Sequence, residues 1–330
     1  MTELPAGTPR GADQPISAVT VVFEAELDLL KLQARSLARF AGPEVISQII
    51  VIDNTRSGIR PPVRRKILHE YGIHRPKVVF LRPTEIGVVP PASGWITQQV
   101  LKLLVYSKVA ADHYVVLDAK NHLIRQVDIR DFIAADGRAH GGFHSYVGHP
   151  LRSRLEDVLH YLGLEPQEFV DRFPPTHTPF VLQTRLVGAM VEDISSTSGQ
   201  EFASAFVASG ALEFFLYSGW IRKTYGTWDA VFDGEPVRSA NIWPGNPSAE
   251  SVKAVIAEAS RLDTPFFAAH RTALAKSSPF AATQLARFWC ERELFGGLAS
   301  GIRYLGTFKL RYVAAMSLRK LRTRPARGLS

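Results

Sequence analysis

The sequence predicts an α/β protein: a mixed, mostly parallel central sheet with flanking helices. Three observations lead there. Buried strand-like runs alternate with amphipathic helical runs through the first 120 residues. That order, strand then helix three times over and then a fourth strand, calls for parallel strands joined by helical crossovers. The chain has 330 residues, 46% of them hydrophobic and 21% charged, which is the composition of a packed globular protein and excludes disorder throughout.

The elements follow in order. Residues 1–15 are rich in Pro and Gly and read as a loose arm. Ile16 to Phe23 reads as a buried strand. Glu26 to Phe40 carries Leu29, Leu30, Leu37 and Phe40 at helical spacing. Ile46 to Ile52 is a second strand, ended by Asp53-Asn54. Arg60 to Tyr71 is a short basic helix, Lys77 to Leu81 a third strand, Ile96 to Val109 a helix and Tyr114 to Leu117 a fourth strand. Beyond residue 150 helices dominate, expected over 151–162, 166–173, 186–194, 200–208, 211–222, 248–260 and 280–298. Short strands are expected at 180–182 and 264–268. No repeat, low-complexity tract or sharp linker divides the chain, so the change near residue 150 reads as a boundary within one core.

Charge and cysteine content exclude several classes. There are 39 Lys and Arg against 31 Asp and Glu, a net +8. Seven of those basic residues, and no acidic one, fall from Lys309 onward; the rest of the chain is left at +1. The basicity belongs to the tail, and a nucleic-acid-binding core is not indicated. The tail could rest on anionic lipid, helped by Tyr304, Phe308 and Tyr312, or simply be solvated. No apolar run reaches the roughly 18 to 20 residues of a spanning helix, and the first 14 residues lack a signal-peptide core. The expected location is the cytoplasm, peripheral to the inner face of the membrane if the tail binds lipid. Cys290 is the single cysteine, which excludes an internal disulfide and a cysteine-rich zinc site.

No G-x-G-x-x-G follows the first strand, no G-x-x-x-x-G-K-[ST] occurs, and no G-x-S-x-G elbow occurs. Dinucleotide dehydrogenases, phosphate-loop NTPases and the common hydrolases are thereby disfavoured. In open parallel sheets the ligand lies beyond the strands' carboxyl ends. There the sequence places Glu24, Asp53, Asn54, Arg82, Pro83 and Asp118. Asp118, closing a buried strand, needs a partner: a cation bound to phosphates, or else its own turn or Lys120. Glu213 sits in the apolar helix ALEFFLYSGWIR, where burial would raise its pKa and suit a general base; Arg222 or Lys223 is the alternative partner. Asp53-Asn54 could equally be a plain turn, and His270 a structural histidine. His140, His144 and His149 lack a carboxylate motif for zinc, and Gly141-Gly142 could let backbone approach a sugar.

The segment GWITQQVLK, residues 94–102, a helix, and then YVVLDAKNHLIR resemble bacterial glycosyltransferases of the GT-A fold, and in particular a glycosyltransferase-like branch without assigned function. Thr178 to Thr184, Glu213 to Tyr217 and Phe266 to Arg271 resemble later segments of that family, so the likeness runs over about residues 17 to 275. It implies a nucleotide-sugar-binding half over 16–150, an acceptor half over 151–278 and a C-terminal helical segment with basic tail over 279–330. It implies a nucleotide-sugar donor near Glu24, Asp53, Asn54, Lys102, Asp118, Lys120 and Asn121, and a carbohydrate or glycoconjugate acceptor near Thr178 and Tyr217, with Glu213 as the catalytic residue. It also implies Mn²⁺ or Mg²⁺ held by Asp118 and His270. The sequence departs from the family's D-x-D at Lys120, which could neutralise phosphate itself as a point charge. A binding protein without catalysis is the rival expectation. A nucleotidyltransferase would want a Gly-rich loop after the first strand, which is absent.

Overall fold

The computed structural model describes residues 14–245 and 248–322, with side chains to residue 315. Most of the expected N-terminal arm, and the basic tail past Arg322, lie outside the described residues. The first strand, β1 (Ile16–Val22), is buried along its whole length and occupies the centre of the sheet. It leads through a single 3₁₀ turn (Glu24–Glu26) into α1 (Leu27–Phe40). Then come β2 (Ile46–Asp53), α2 (Pro61–Glu70), β3 (Val78–Leu81), α3 (Gly94–Leu104) and β4 (His113–Asp118). The β-α alternation expected from the sequence is present, with parallel pairing of β1 to β2, β1 to β4 and β2 to β3.

A three-residue strand, β5 (Asn121–Leu123), leaves the turn after β4. The helices α4 (Arg152–Leu162), α5 (Thr184–Ser198), α6 (Phe202–Ser209) and α7 (Glu213–Tyr225) match the expected helical stretches, with β6 (Phe180–Gln183) between α4 and α5. The helix expected over 166–173 is reduced to a 3₁₀ turn at Pro166–Glu168. β6 pairs antiparallel with β4, which completes a five-stranded sheet in the order β3-β2-β1-β4-β6. The central sheet is thus mixed and mostly parallel, as expected.

The remaining elements are β7 (Ser239–Ile242), α8 (Ala249–Arg261), β8 (Phe266–Ala269), α9 (Arg271–Lys276), α10 (Pro279–Glu291) and α11 (Leu298–Arg322). Strands β5, β8 and β7 form a second, three-stranded sheet. The turn Asp118-Ala-Lys-Asn121 therefore joins the two sheets. That turn is braced from below by Gln33 of α1, whose amide donates to the carbonyls of Asp118 (2.8 Å) and Asn121 (3.0 Å) and whose carbonyl accepts from the Thr20 hydroxyl (2.9 Å). Buried carbonyls are satisfied this way at a place where neither sheet can bond them. No single helix among the described residues is long and apolar enough to cross a membrane.

Candidate functional site

Strand order reverses between β1 and β4: β2 and β3 lie to one side of β1, and β4 and β6 to the other. The crevice beyond such a switch point is where open α/β sheets bind ligands. Here a cleft of about 540 Å³ opens beside the end of β4, walled by Trp95, Gln99, Lys102, Asp118, Lys120, His144, His149, His177, Thr178, Glu213 and Trp243.

Each polar member has a structural reason for its position. Ser93 caps α3 by accepting from the Ile96 N–H, so α3 starts at the cleft rim and carries Trp95 there and Lys102 two turns deeper. Glu213 is the first residue of α7, where a carboxylate is favoured by the helix dipole. The side chain of Lys102, only 8% exposed, reaches Asp118 Oδ1 and Glu213 Oε1, each at 3.0 Å. Lys120 Nζ bonds the other oxygen of Asp118 at 2.6 Å. Gln99 Oε1 accepts from the Glu213 N–H at 3.2 Å. Asn121 Oδ1 accepts from the Asp118 N–H and from the Thr178 hydroxyl, both at 2.8 Å.

The electrostatics follow from this chain of charges. Burial would raise the Asp118 pKa, but Lys102 and Lys120 outweigh it and hold the carboxyl well below the usual range. Burial would lower Lys102, and Asp118 and Glu213 outweigh that too, pushing it up. Asp118 and Lys102 are therefore both charged at neutral pH. His177, at the cleft wall, is driven down to about 4, by burial first and then by His144 and Lys120, so it is neutral.

The structure brings Lys102, Asp118, Lys120, Thr178 and Glu213 together around one cleft, with Asn121 directly beneath. It does not bring in the others. Asp53 is buried and spent on its own loop: its oxygens accept from the Thr55 N–H and hydroxyl, the Ile59 N–H and Arg82. Asp53-Asn54 is thus the turn that was the alternative. Glu24 accepts from the Arg56 N–H and faces a separate cavity of about 430 Å³ between α1, α2 and α11. Tyr217 is fully buried, its hydroxyl accepting from the Gln183 N–H, and is out of an acceptor's reach. Glu213 pairs with Lys102 and not with Arg222 or Lys223. Gly142 lines the cleft, where a Cβ would meet Pro236 at 2.9 Å, whereas Gly141 packs against Phe232, which a Cβ would meet at 2.3 Å. His140 is held away by Asp233 at 2.6 Å, whereas His144 and His149 pack around Tyr146 in the cleft wall.

A divalent cation does not fit this donor set. Both Asp118 oxygens already accept from ammonium groups. His270 Nδ1 accepts from the Thr272 N–H as the cap of α9. Among the described residues no group of three His, Cys, Asp or Glu side chains converges as metal ligands would. Unit charges 4 Å apart interact by about 4 kcal/mol at an effective dielectric of 20, and a divalent ion doubles that repulsion against each lysine.

Sequence reasoning missed three features. Trp95 and Trp243 stand at the rim, 54% and 44% exposed. Gln99 faces inward from the buried side of α3; a polar residue on the apolar side of that helix was the available signal. Finally, Glu26 pairs with Arg271 at 2.5 Å, joining the ends of β1 and β8. Burial pushes the Glu26 pKa up to about 7, and Arg271 offsets this only in part.

Some solved structures resemble the chain at low identity. The apo structure of the bifunctional glycosyltransferase WbbM matches at 12% identity with a TM-score of 0.43 over 78% of this chain and 46% of that one, so this chain spans less than half of WbbM. An active-site mutant of LgtC matches at 11% identity, TM-score 0.37, over 60% of this chain and 71% of that one. The galactosyltransferase LgtC with donor and acceptor sugar analogues matches at 13% identity, TM-score 0.34, over 60% and 72%. No curated protein matches the chain. Residues 16–242, well over half of the sequence, match the model of DUF6492, described as a family of unknown function, and the chain belongs to that family.

Proposed function

We propose that this protein is a glycosyltransferase that moves a sugar from a nucleotide-sugar donor to a carbohydrate or glycoconjugate acceptor. One observation carries the reading: a preorganised acid–lysine network floors a cleft at the switch point of the sheet, with two exposed tryptophans at its rim. Indole faces suit the apolar C–H faces of sugar rings, while the polar floor suits hydroxyl and phosphate groups.

In the transfer, the bond from the sugar's anomeric carbon to the diphosphate oxygen breaks and its electron pair leaves with the diphosphate. A new bond joins that carbon to the acceptor oxygen, which loses its proton. Lys120 supplies positive charge where the leaving group becomes more negative. Asp118 fixes Lys120 and Lys102 in place. Glu213 takes the acceptor's proton if configuration inverts; if it is retained, the departing diphosphate oxygen takes that proton and Glu213 orients the acceptor hydroxyl.

The test is release of free nucleoside diphosphate from a panel of nucleotide sugars. One donor should turn over, and Glu213→Gln should cut that turnover about 100-fold or more while donor affinity stays within about threefold. Equal losses in both would make Glu213 a structural residue. A second reading, a nucleotide-sugar-binding protein without turnover, is favoured by Lys120 standing where the resembling enzymes have a second acid. Donor binding with no release from any member of the panel would establish it.

A further inference from the structure

We propose that the donor's diphosphate is held by ammonium groups and not by a divalent cation, Lys120 exchanging Asp118 for phosphate oxygens while Lys102 stays fixed between Asp118 and Glu213. The inference rests on the glycosyltransferase reading and deepens it by assigning the chemistry of the phosphate subsite. Three observations support it. First, each Asp118 oxygen already accepts from a lysine, at 3.0 Å and 2.6 Å, so a metal there would meet two ammonium charges. Second, the two lysines differ in freedom. Lys102 is bonded by two carboxylates on two different elements and is nearly sealed from solvent. Lys120 has one carboxylate partner, lies 5.6 Å from the centroid of the exposed Trp243 ring and is 16% exposed. It sits in a turn whose backbone is fixed by Gln33 and Asn121, so its side chain can move without the loop moving.

Third, the charges balance without a metal. Two lysines face two carboxylates at the turn. An arriving diphosphate draws Lys120 toward itself, and Asp118 keeps Lys102 as its counter-charge. A divalent ion arriving at Asp118 would be repelled by both ammonium groups.

The two accounts differ in sign for one substitution. If Asp118 is a metal ligand, Asp118→Asn loses nucleotide binding. If Asp118 is the resting partner of Lys120, Asp118→Asn frees the lysine, removes a negative charge from the phosphate site, and keeps or tightens binding. The experiment measures the melting temperature of the full chain with UDP, GDP, ADP, CDP and dTDP, each in EDTA and in Mn²⁺.

The expected result is that one diphosphate raises the melting temperature equally in both conditions. In EDTA, Asp118→Asn should bind it at least as tightly as wild type, Lys120→Ala at least tenfold more weakly, and Lys120→Arg within about threefold of wild type. Stabilisation only with Mn²⁺ would overturn the inference and leave the donor reading intact. So would EDTA-insensitive binding that Lys120→Ala does not weaken or that Asp118→Asn abolishes. No stabilisation by any diphosphate in either condition would sink the donor reading itself.

Discussion

Glu26 shows how burial and charge compete at a single residue. It lies at the junction of β1 and α1, its side chain 12% exposed, and shares its carboxylate with Arg271. Its pKa rises from 4.5 to about 7 because burial outweighs the guanidinium. Below pH 4.5 both folded and unfolded chains hold the proton. Between 4.5 and 7 the unfolded chain releases it while the folded chain keeps it, so stability falls as pH rises through that window. Above 7 the loss is complete, about 3 kcal/mol at 1.36 kcal/mol per pKa unit. Urea unfolding at pH 5 and pH 8 should therefore show a smaller drop for Glu26→Gln than for wild type; parallel behaviour of the two proteins would refute the assignment. Asp118 was legible in the sequence, because an acid that ends a run of buried strand residues stands out. Glu26 was not. It reads as an ordinary first residue of an amphipathic helix, and its partner lies 245 positions away.

Among elements, α1 does more than cover the sheet. Through Gln33 it satisfies two carbonyls in the turn that presents Asp118 and Lys120. Replacing Gln33 with Leu should leave both carbonyls unpaired, at about 1–3 kcal/mol each. The variant should lose about 3 kcal/mol in urea unfolding, and turnover should fall further than stability alone explains. A loss under about 1 kcal/mol would mean that water takes over those bonds. The longer elements could be read from periodicity, because β1 to β4 and the helices α1, α4, α5, α7 and α8 repeat their apolar residues over several turns or a full strand. β5, β7 and α9 escaped notice. At three, four and six residues they are too short to show a period, and pairing with β8 is what orders both strands.

At the level of the whole molecule, the strand order and the C-terminal closure come from contacts distant in sequence. β6 joins the sheet antiparallel beside β4, across the intervening residues 119–179, and no local pattern announces that pairing. The 25-residue α11 packs against α10, its Tyr304 hydroxyl donating to the Asp28 carbonyl and Arg311 pairing with the Asp28 carboxylate. The sequence read this segment only as a helical end with a basic tail, since basic residues surround its apolar stripe. Phe308 is 2% exposed and Leu310, two residues on, is 75% exposed. Phe308→Ala should cost about 3–5 kcal/mol and Leu310→Ala no more than about 0.5 kcal/mol in chemical denaturation. Similar costs at the two positions would mean that α11 does not dock as described.

Trp243 and the Glu26–Arg271 clasp place the last components of the binding region late in the order of synthesis. A nascent chain that has emerged as far as β6 already holds every strand of the large sheet, yet it still lacks Glu213, Trp243 and Arg271. A ribosome-stalled fragment ending before residue 213 would thus carry the sheet with an unfinished pocket.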